Sequence, residues 1–206
     1  QIKNDLDSAI ALLPPSYNGS MNQEVGRATS YSAIALKTLV YLETNEWANA
    51  AAAANSIISS NKFSLQGIYA NNFNGSAENG SQSLFEVQYS ATAGSYGNLY
   101  QLFAPAAAPY SSGFTIAPTD DSLVIGGVGG PNRGGQSFVQ AFESGDLRKN
   151  TIITAYNIPN VLQSGRAAGT LYYVNKYLNI TTPAGQSPWN VPVIRYAEIL
   201  LAGAEA

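Results

Sequence analysis

Apolar residues recur every three to four positions over three stretches near the N-terminus, and this spacing predicts three helices. The first covers residues 1–13 and ends at Pro14, because proline lacks the backbone donor that a helix interior needs. The second covers residues 27–44, and Asn45 is the predicted N-cap of the third helix, which begins at Trp47. The third helix is mostly alanine, so a partner helix can approach it closely. We expect Trp47 to lie in the core.

The pattern changes in the centre of the chain. Residues 83–89 alternate apolar and polar side chains, which predicts a strand. Residues 90–135 are rich in Gly, Pro, Ser and Tyr and predict a long loop, followed by a short helix over residues 136–142. Short strands are expected near residues 151–156 and 171–177. A connection this long inside a compact domain is usually functional or disordered.

These elements predict a mainly α fold of tetratricopeptide-like helical hairpins in an α/α superhelix, with long irregular loops and a few short strands. A plain helical hairpin is the alternative to the tetratricopeptide unit. We expect one partial domain over residues 1–206, from the interior of a larger helical protein. Within it, residues 1–65 form a helical repeat scaffold, residues 66–190 form a loop-rich ligand-facing region, and residues 191–206 begin a further scaffold helix.

Charge and composition limit the classes of ligand that the chain is expected to bind. Only 11% of residues are charged, against roughly 25% in ordinary soluble domains, so the surface is built from uncharged polar groups that suit hydroxyl-rich ligands. A net charge of −3 makes nucleic acid a poor partner. The chain has no Cys and no His, which excludes disulfides, Cys or His nucleophiles and nearly all zinc, haem and iron–sulfur sites. No apolar run reaches the length of a membrane span.

Several motifs, in one order, resemble the SusD/RagB family, surface glycan-binding lipoproteins of Bacteroidetes-type bacteria. The motifs are the helix at residues 5–14, the helical pair over residues 27–65, the strand at residues 83–88, the Phe142–Arg148 segment, the strand at Lys176 and Tyr177, and the segment from Pro192 through Arg195 and Glu198. The last motif is the most specific. The chain matches only the middle portion of the family's length.

The resemblance implies a SusD-like helical scaffold whose loops bind glycan, with no catalysis and no cofactor. It implies a partner, a SusC-like TonB-dependent transporter, and a place on the cell outer membrane through a lipid anchor absent from this chain. Asp146 and Arg148 are expected to form a local ion pair or backbone caps. Arg195 and Glu198, one helical turn apart, are expected to pair with each other or with another helix.

Glycans are bound by aromatic faces that stack on sugar rings and by planar polar groups that hydrogen-bond hydroxyls. The predicted ligand-binding residues are Tyr96, Asn98, Tyr100, Gln101, Tyr110, Phe114 and Trp189. Gly94 and Gly97 would let a loop bring Tyr96 to the surface, whereas the alternative is that these aromatic residues pin the loop to the helices. Tyr69 and Phe73 form a weaker candidate edge. The glycine-rich residues 126–135 lack the ending of a phosphate-binding loop and are interpreted as a mobile loop over the ligand face.

Two other functions stay open. A glycoside hydrolase needs two carboxylates about 5–9.5 Å apart, and the candidate clusters are Asp120 with Asp121 or Glu143 with Asp146. A tetratricopeptide-like scaffold for protein contacts would carry basic or Asn clamps in a peptide groove, and the weakly charged helices show none. No acidic loop spacing demands calcium, and no metal site is predicted.

Overall fold

A computed structural model describes residues 1–17, 25–92, 94–97, 124–127, 139–158, 169–174, 176 and 187–206. Its helices are α1 (Ile2–Leu12), α2 (Ser30–Glu43), α3 (Trp47–Ile58), α4 (Lys149–Ile152) and α5 (Tyr196–Glu205), with a 3-10 helix at Tyr69–Asn72. Its strands are β1 (Ser83–Val87), β2 (Val124–Gly127), β3 (Ile153–Ile158), β4 (Gly169–Val174) and β5 (Val191–Arg195). The described part of the chain is therefore rich in helix with small sheets, as predicted.

The chain divides into two compact units. We call the first the helical unit; it contains Gln1–Gly67, Ala77–Gln88 and Asn190–Ala206. The second, the loop unit, contains Ile68–Ser76 and Tyr89–Trp189. The expectation that both belong to one domain stays a prediction. None of the described helices is long and apolar enough to cross a membrane.

Helix α2 begins at a capping box, in which two side chains satisfy backbone donors that the first helical turn leaves unpaired. The Ser32 N–H donates to Thr29 Oγ1 at 3.2 Å, and the Thr29 N–H donates to Ser32 Oγ at 3.1 Å. The Ser32 hydroxyl also donates to the Leu84 carbonyl at 2.6 Å, which ties the start of α2 to β1. The cap therefore fixes both where α2 begins and where β1 lies.

The buried residues of α2 are small, which explains how it can contact several elements. They are Ser32, Ala33, Ala35 and Thr38. Helices α1, α3 and α5 all pack against α2, as do β1 and β5. The buried Thr38 hydroxyl donates to the Ile34 carbonyl at 3.0 Å, so it is not left unsatisfied. Small side chains thus place α2 at the centre of the helical unit.

The core of the helical unit joins α3, α5 and the β1–β5 pair. Ile57 and Ile199 are fully buried within it. Helices α3 and α5 approach closely, since a Cβ atom at Gly203 would lie 3.2 Å from the Ala54 Cβ. This confirms that the alanine-rich helix allows a close partner. A T-shaped pair of Tyr31 and Phe63 rings, with centroids 5.3 Å apart, packs beside this core.

The prediction for the start of α3 was wrong in two respects. Trp47 is 42% exposed and does not lie in the core, because burial of α3 begins only at Ala50 and the first turn of the helix is left uncovered. Asn45 is not the N-cap. It takes a left-handed φ of +57° in the tight connection, and Glu46 is the N-cap.

Residues 191–195 were also predicted wrongly, as the beginning of a scaffold helix. They form β5, which pairs with β1 in antiparallel register, with Glu86 opposite Pro192 and Val87 opposite Val191. Proline is tolerated here because a two-stranded sheet has only edge strands. Only at Tyr196 does the predicted helix, α5, begin.

The sheet of the loop unit has three antiparallel strands in the order β2–β4–β3. Strands β3 and β4 confirm the two short strands expected in this part of the chain, shifted by about two residues. Strand β2 was missed, because it lies inside residues 90–135, which were predicted to be loop. Of the helix predicted over residues 136–142, only the last four positions lie among the described residues, and 139–140 are helical.

Candidate functional site

The side chain of Trp189 lies half-buried in the loop unit. Its indole packs against Gly75, whose φ of +76° is a left-handed conformation that glycine adopts without steric cost. A Cβ atom at position 75 would lie 2.6 Å from both Cδ1 and Nε1 of the indole. No larger residue fits there unless the ring moves, so the glycine provides the surface on which the indole rests.

The backbone beside Trp189 is fixed by a short antiparallel bridge. The Gly97 N–H donates to the Ser187 carbonyl at 2.8 Å, and the Ser187 N–H donates back at 3.1 Å. The Trp189 N–H contacts Ser187 Oγ at 3.4 Å. Gly97 is buried and packs closely on the ring of Tyr89. A Cβ atom at position 97 would lie only 3.1–3.3 Å from that ring. The bridge therefore brings the segment of Tyr96 beside the segment of Trp189.

Of the predicted ligand-binding residues, Tyr96 and Trp189 are described, and both are half-buried. Each residue therefore keeps part of its surface accessible to solvent. Outside the described residues lie Asn98, Tyr100, Gln101, Tyr110 and Phe114, together with Asp120, Asp121 and residues 128–135. The assignment of all seven ligand-binding residues stays a prediction.

In the weaker candidate surface formed by Tyr69 and Phe73, Phe73 has a structural role. Phe73 is only 5% exposed, so it cannot offer its face to a sugar. The two rings make a T-shaped contact with centroids 5.2 Å apart. The Lys176 ammonium lies 4.5 Å from the Phe73 centroid and 5.9 Å from the Tyr69 centroid, a cation–π arrangement. Tyr69 stays half-buried and keeps some accessible surface.

A group of five hydrogen-bonded side chains in the helical unit was not predicted from the sequence. We call Glu78, Asn79, Glu86, Gln88 and Asn190 the polar cluster. Glu86 Oε2 accepts from the Asn79 N–H at 3.0 Å and from Asn190 Nδ2 at 3.1 Å. Asn190 also donates from its backbone to Glu78 Oε1 at 2.8 Å and from Nδ2 to Gln88 Oε1 at 3.0 Å. Asn79 and Gln88 exchange two further amide bonds.

Two carboxylates of the polar cluster lie close enough to interact. Partial burial raises the pKa of Glu78, and the nearby charge of Glu86 adds to that rise, against the opposing hydrogen bond from the Asn190 backbone. A raised carboxyl pKa beside a second acid is one feature of a hydrolytic pair. Glu86, however, is only 6% exposed, and the two N–H donors occupy its Oε2. The Glu86 carboxylate is therefore not accessible to a substrate, as a nucleophile or general base must be.

The predicted pair of Glu143 and Asp146 does not resemble a catalytic pair either. The Asp146 carboxylate accepts from Arg148 Nη2 at 2.6 Å and from the Arg148 backbone at 2.9 Å. These bonds lower the pKa of Asp146 to about 2. The acid therefore stays ionised at neutral pH and cannot serve as a general acid. The expected local ion pair and cap are confirmed.

The helical unit also contains a groove of about 560 Å³ that no sequence pattern indicated. Phe63 and Phe85 line it together with Asn79 of the polar cluster. Arg27 lies 5.4 Å from the centroid of Tyr17 at its rim. Its lining residues come from β1 and from the loops that follow α1, precede α2, follow α3 and precede β1, which only the fold brings together. Among the described residues, no group of three or more acidic side chains is placed to hold a metal ion.

Solved structures share this fold over nearly the whole chain. Each of the following three covers 98% of it. A structure with a xylogluco-oligosaccharide matches at a TM-score of 0.73 and 19% identity. Surface glycan-binding protein A from Bacteroides thetaiotaomicron, in complex with laminarihexaose, matches at 0.69 and 20%. A SusD superfamily protein from Parabacteroides distasonis matches at 0.70 and 24%. The chain has a SusD-like fold.

The SusD-like fold confirms, at the level of architecture, the resemblance drawn from the sequence motifs. The chain spans 43% of the first and third of these structures and 48% of the second, so it corresponds to less than half of their length. No protein-family model and no curated protein sequence matches the chain. Sequence identities below 25% establish the fold alone. The ligands and partners of this chain are therefore proposals.

Proposed function

We propose that this chain is part of a non-catalytic, cell-surface glycan-binding protein of the SusD/RagB family. Two lines support the proposal. Structures with the same fold have been solved with a xylogluco-oligosaccharide and with laminarihexaose. The low charge of the chain, with 11% charged residues, favours an uncharged hydroxyl-rich ligand. We further propose tetratricopeptide-like hairpins as the scaffold, with α2 and α3 as one of them.

The observation that carries the proposal is the seating of Trp189. An indole binds a sugar when one face is accessible and the ring is held in place before the ligand arrives. Gly75 supports the indole, and the Gly97–Ser187 bridge holds the backbone beside it. Tyr96, joined to that bridge, supplies a second aromatic ring in the same part of the loop unit. The remaining predicted residues would add contacts along residues 98–114.

The proposed partner is a SusC-like TonB-dependent transporter, to which the protein delivers bound oligosaccharide. The proposed location is the outer membrane, through a lipid anchor outside this chain. Both follow from the family alone. Co-purification of the full-length protein with an outer-membrane transporter tests the first, and recovery of a transporter-free protein from detergent extracts would contradict it.

The test of binding is native affinity electrophoresis through gels that contain xyloglucan, laminarin, starch, xylan or pectin. We expect retardation in one gel, and we expect Trp189→Ala to raise the dissociation constant about tenfold or more, as truncating a central aromatic residue does. Tyr96→Ala should act in the same direction. Trp47→Ala is the matched control, because Trp47 is also accessible but belongs to the helical unit. Equal losses in Trp47→Ala and Trp189→Ala would contradict the assignment.

The same protein samples also test the two alternative functions, a glycoside hydrolase and a protein-interaction scaffold. Release of reducing sugar that Glu78→Gln or Asp120→Asn abolishes would establish a glycoside hydrolase. Capture of peptides in the absence of any affinity for a polysaccharide would favour a protein-interaction scaffold. A well-folded chain that no gel retards would contradict glycan binding by this part of the protein.

A further inference from the structure

The polar cluster occupies a special place along the chain. The backbone passes between the helical unit and the loop unit four times, after Gly67, Ser76, Gln88 and Trp189. Each of the last three crossings lies within two residues of a member of the cluster, namely Glu78, Gln88 or Asn190. Strand pairing accounts for one of these contacts, because the register that places Val87 opposite Val191 leads on to Gln88 and Asn190. The hydrogen bonds of Asn190 to Glu78 and Glu86 are additional to that pairing. The cluster therefore holds Asn190, the residue that follows Trp189, more firmly than strand pairing alone would.

We propose that the polar cluster is a positioning device for Trp189, which makes it a determinant of glycan affinity without touching the glycan. The proposal rests on the proposed function for its effect on binding. Its structural part, the fixed orientation of the indole, stands independently of any ligand.

The physical connection is the peptide bond between Trp189 and Asn190. The Asn190 N–H and the Trp189 carbonyl lie in one rigid plane, so a hydrogen bond that orients one of them orients the other. The Asn190 N–H donates to Glu78 Oε1 at 2.8 Å. On the other side of the residue, the Trp189 N–H contacts Ser187 Oγ at 3.4 Å. The backbone that carries the indole is thus held from both directions.

Asn190 has little freedom to leave this arrangement. It is only 7% exposed, and its amide nitrogen donates to Glu86 Oε2 and to Gln88 Oε1. Breaking the bond to Glu86 would leave a buried carboxylate oxygen short of a donor, which costs more than the bond itself contributes. Glu86, at 6% exposed, is held in turn by the Asn79 N–H. Buried groups that satisfy one another in this way specify one geometry.

The fluorescence of Trp189 gives a direct test. In a Trp47→Phe background Trp189 is the only tryptophan, because the chain has two. Acrylamide quenching of the Trp189 emission then reports how accessible the indole is. Into this background we would introduce Asn190→Ala, Glu86→Ala and the conservative Glu86→Gln. The dissociation constant for the retarding polysaccharide is measured on the same proteins.

We expect Asn190→Ala and Glu86→Ala to raise the quenching constant about twofold, since a half-buried ring that becomes exposed roughly doubles its accessible area. The dissociation constant should rise about fivefold through lost preorganisation. Glu86→Gln should restore both values, because its amide oxygen can accept from Asn79 and Asn190 as the carboxylate oxygen does.

The matched control is Thr38→Ala. Thr38 is also buried in the helical unit and also donates to a backbone carbonyl, but that carbonyl belongs to Ile34 within α2. The substitution should lower the melting midpoint while leaving the quenching constant and the dissociation constant unchanged.

The positioning proposal would be overturned if quenching were unchanged in both Asn190→Ala and Glu86→Ala. It would also be overturned if Thr38→Ala changed the quenching by the same amount. If the background protein binds no polysaccharide, the proposed function fails and the quenching result alone decides the positioning proposal. If quenching changes and binding does not, the indole is positioned by the cluster but does not contribute to affinity, which contradicts the proposal as stated.

Discussion

The interactions inside the helical unit differ in kind from the interactions inside the loop unit. In the helical unit, Ile57 and Ile199 are fully buried between packed helices, so hydrophobic burial provides the stability. In the described part of the loop unit, the contacts that fix Trp189 are the Gly97–Ser187 bridge and the close approach of Gly75. The difference agrees with the proposed function, in which the helical unit provides most of the stability and the loop unit contacts the ligand. Variants in each unit should therefore affect different measurements.

The largest effect on stability should come from the core of the helical unit. Ile57→Ala should lower the free energy of unfolding by about 2–5 kcal/mol, because it removes buried methyl groups and leaves a cavity between α2, α3 and α5. Chemical denaturation measures this change. Trp47→Ala is the control within the same helix. Since Trp47 is 42% exposed, its loss should cost about 1 kcal/mol or less.

A cost for Trp47→Ala that equals the cost for Ile57→Ala would show that α3 is packed differently from the structure. A polysaccharide affinity that falls in Ile57→Ala, at temperatures where the variant is fully folded, would contradict the division of roles between the two units.

The second effect concerns the seat of Trp189 in the loop unit. Gly75→Ala should cost about 1–3 kcal/mol and weaken glycan binding, because it adds a Cβ clash with the indole to the strain of a positive φ. Gly94→Ala is the matched control. Gly94 has a φ of +86° but nothing within 4 Å of its ideal Cβ, so only the backbone strain of about 1 kcal/mol applies. Isothermal calorimetry should show weaker binding in Gly75→Ala alone, and equal binding in both variants would contradict the seating.

The sequence predicts the helical unit well and the loop unit poorly, and the physical reason differs from element to element. Apolar periodicity located α1, α2 and α3 to within a few residues. It misplaced Trp47, because the burial of a helix residue depends on which elements cover it and not on the pattern of the helix alone. It also missed β5, which was assigned to the start of a helix, because only the pairing with β1 makes these residues a strand.

The site is predictable only in part, for a similar reason. Residue chemistry drew attention to Trp189 and Tyr96, because an aromatic residue in a loop is a common sugar platform. Gly75, which supports the indole, lies far away in sequence and carries no signal except its residue type. The polar cluster likewise joins residues from two separate segments, Ala77–Gln88 and Asn190–Ala206. Such juxtapositions follow from tertiary structure and have no local pattern.

A smaller effect on stability is expected at the start of α2. Thr29→Ala removes the side-chain half of the capping box and should cost about 0.5–2 kcal/mol. Because the Thr29 side chain bonds to Ser32 and not to the polar cluster, the dissociation constant for glycan should stay unchanged. Thr29→Ser, which keeps the hydroxyl, should recover most of the loss, and a serine variant as unstable as the alanine variant would contradict the role of the cap.

The titration of Asp146 should show how the loop unit responds to acid. The bonds from Arg148 lower its pKa from 3.8 to about 2, so the ion pair stabilises the fold at pH values above the unfolded pKa. That contribution is lost as pH falls from about 4 to about 2. Asp146→Asn should flatten this part of the stability curve. The effect should be small and should shrink further in salt, because the pair is exposed and screened. An unchanged acid limb would contradict the ion pair in solution.

The smallest effect, of opposite sign, is expected at Glu78 in the helical unit. Partial burial raises its pKa above 4.5, so its contribution to stability is greatest in acid and declines as pH rises through that value. Glu78→Gln keeps an oxygen for the Asn190 N–H but cannot ionise. It should therefore match the parent chain at pH 4 and exceed it at pH 7, by less than about 0.5 kcal/mol, since Glu78 is exposed and solvent screens its charge. Urea unfolding at the two pH values measures the difference, and a variant less stable than its parent at pH 7 would show that the charge of Glu78 strengthens the polar cluster.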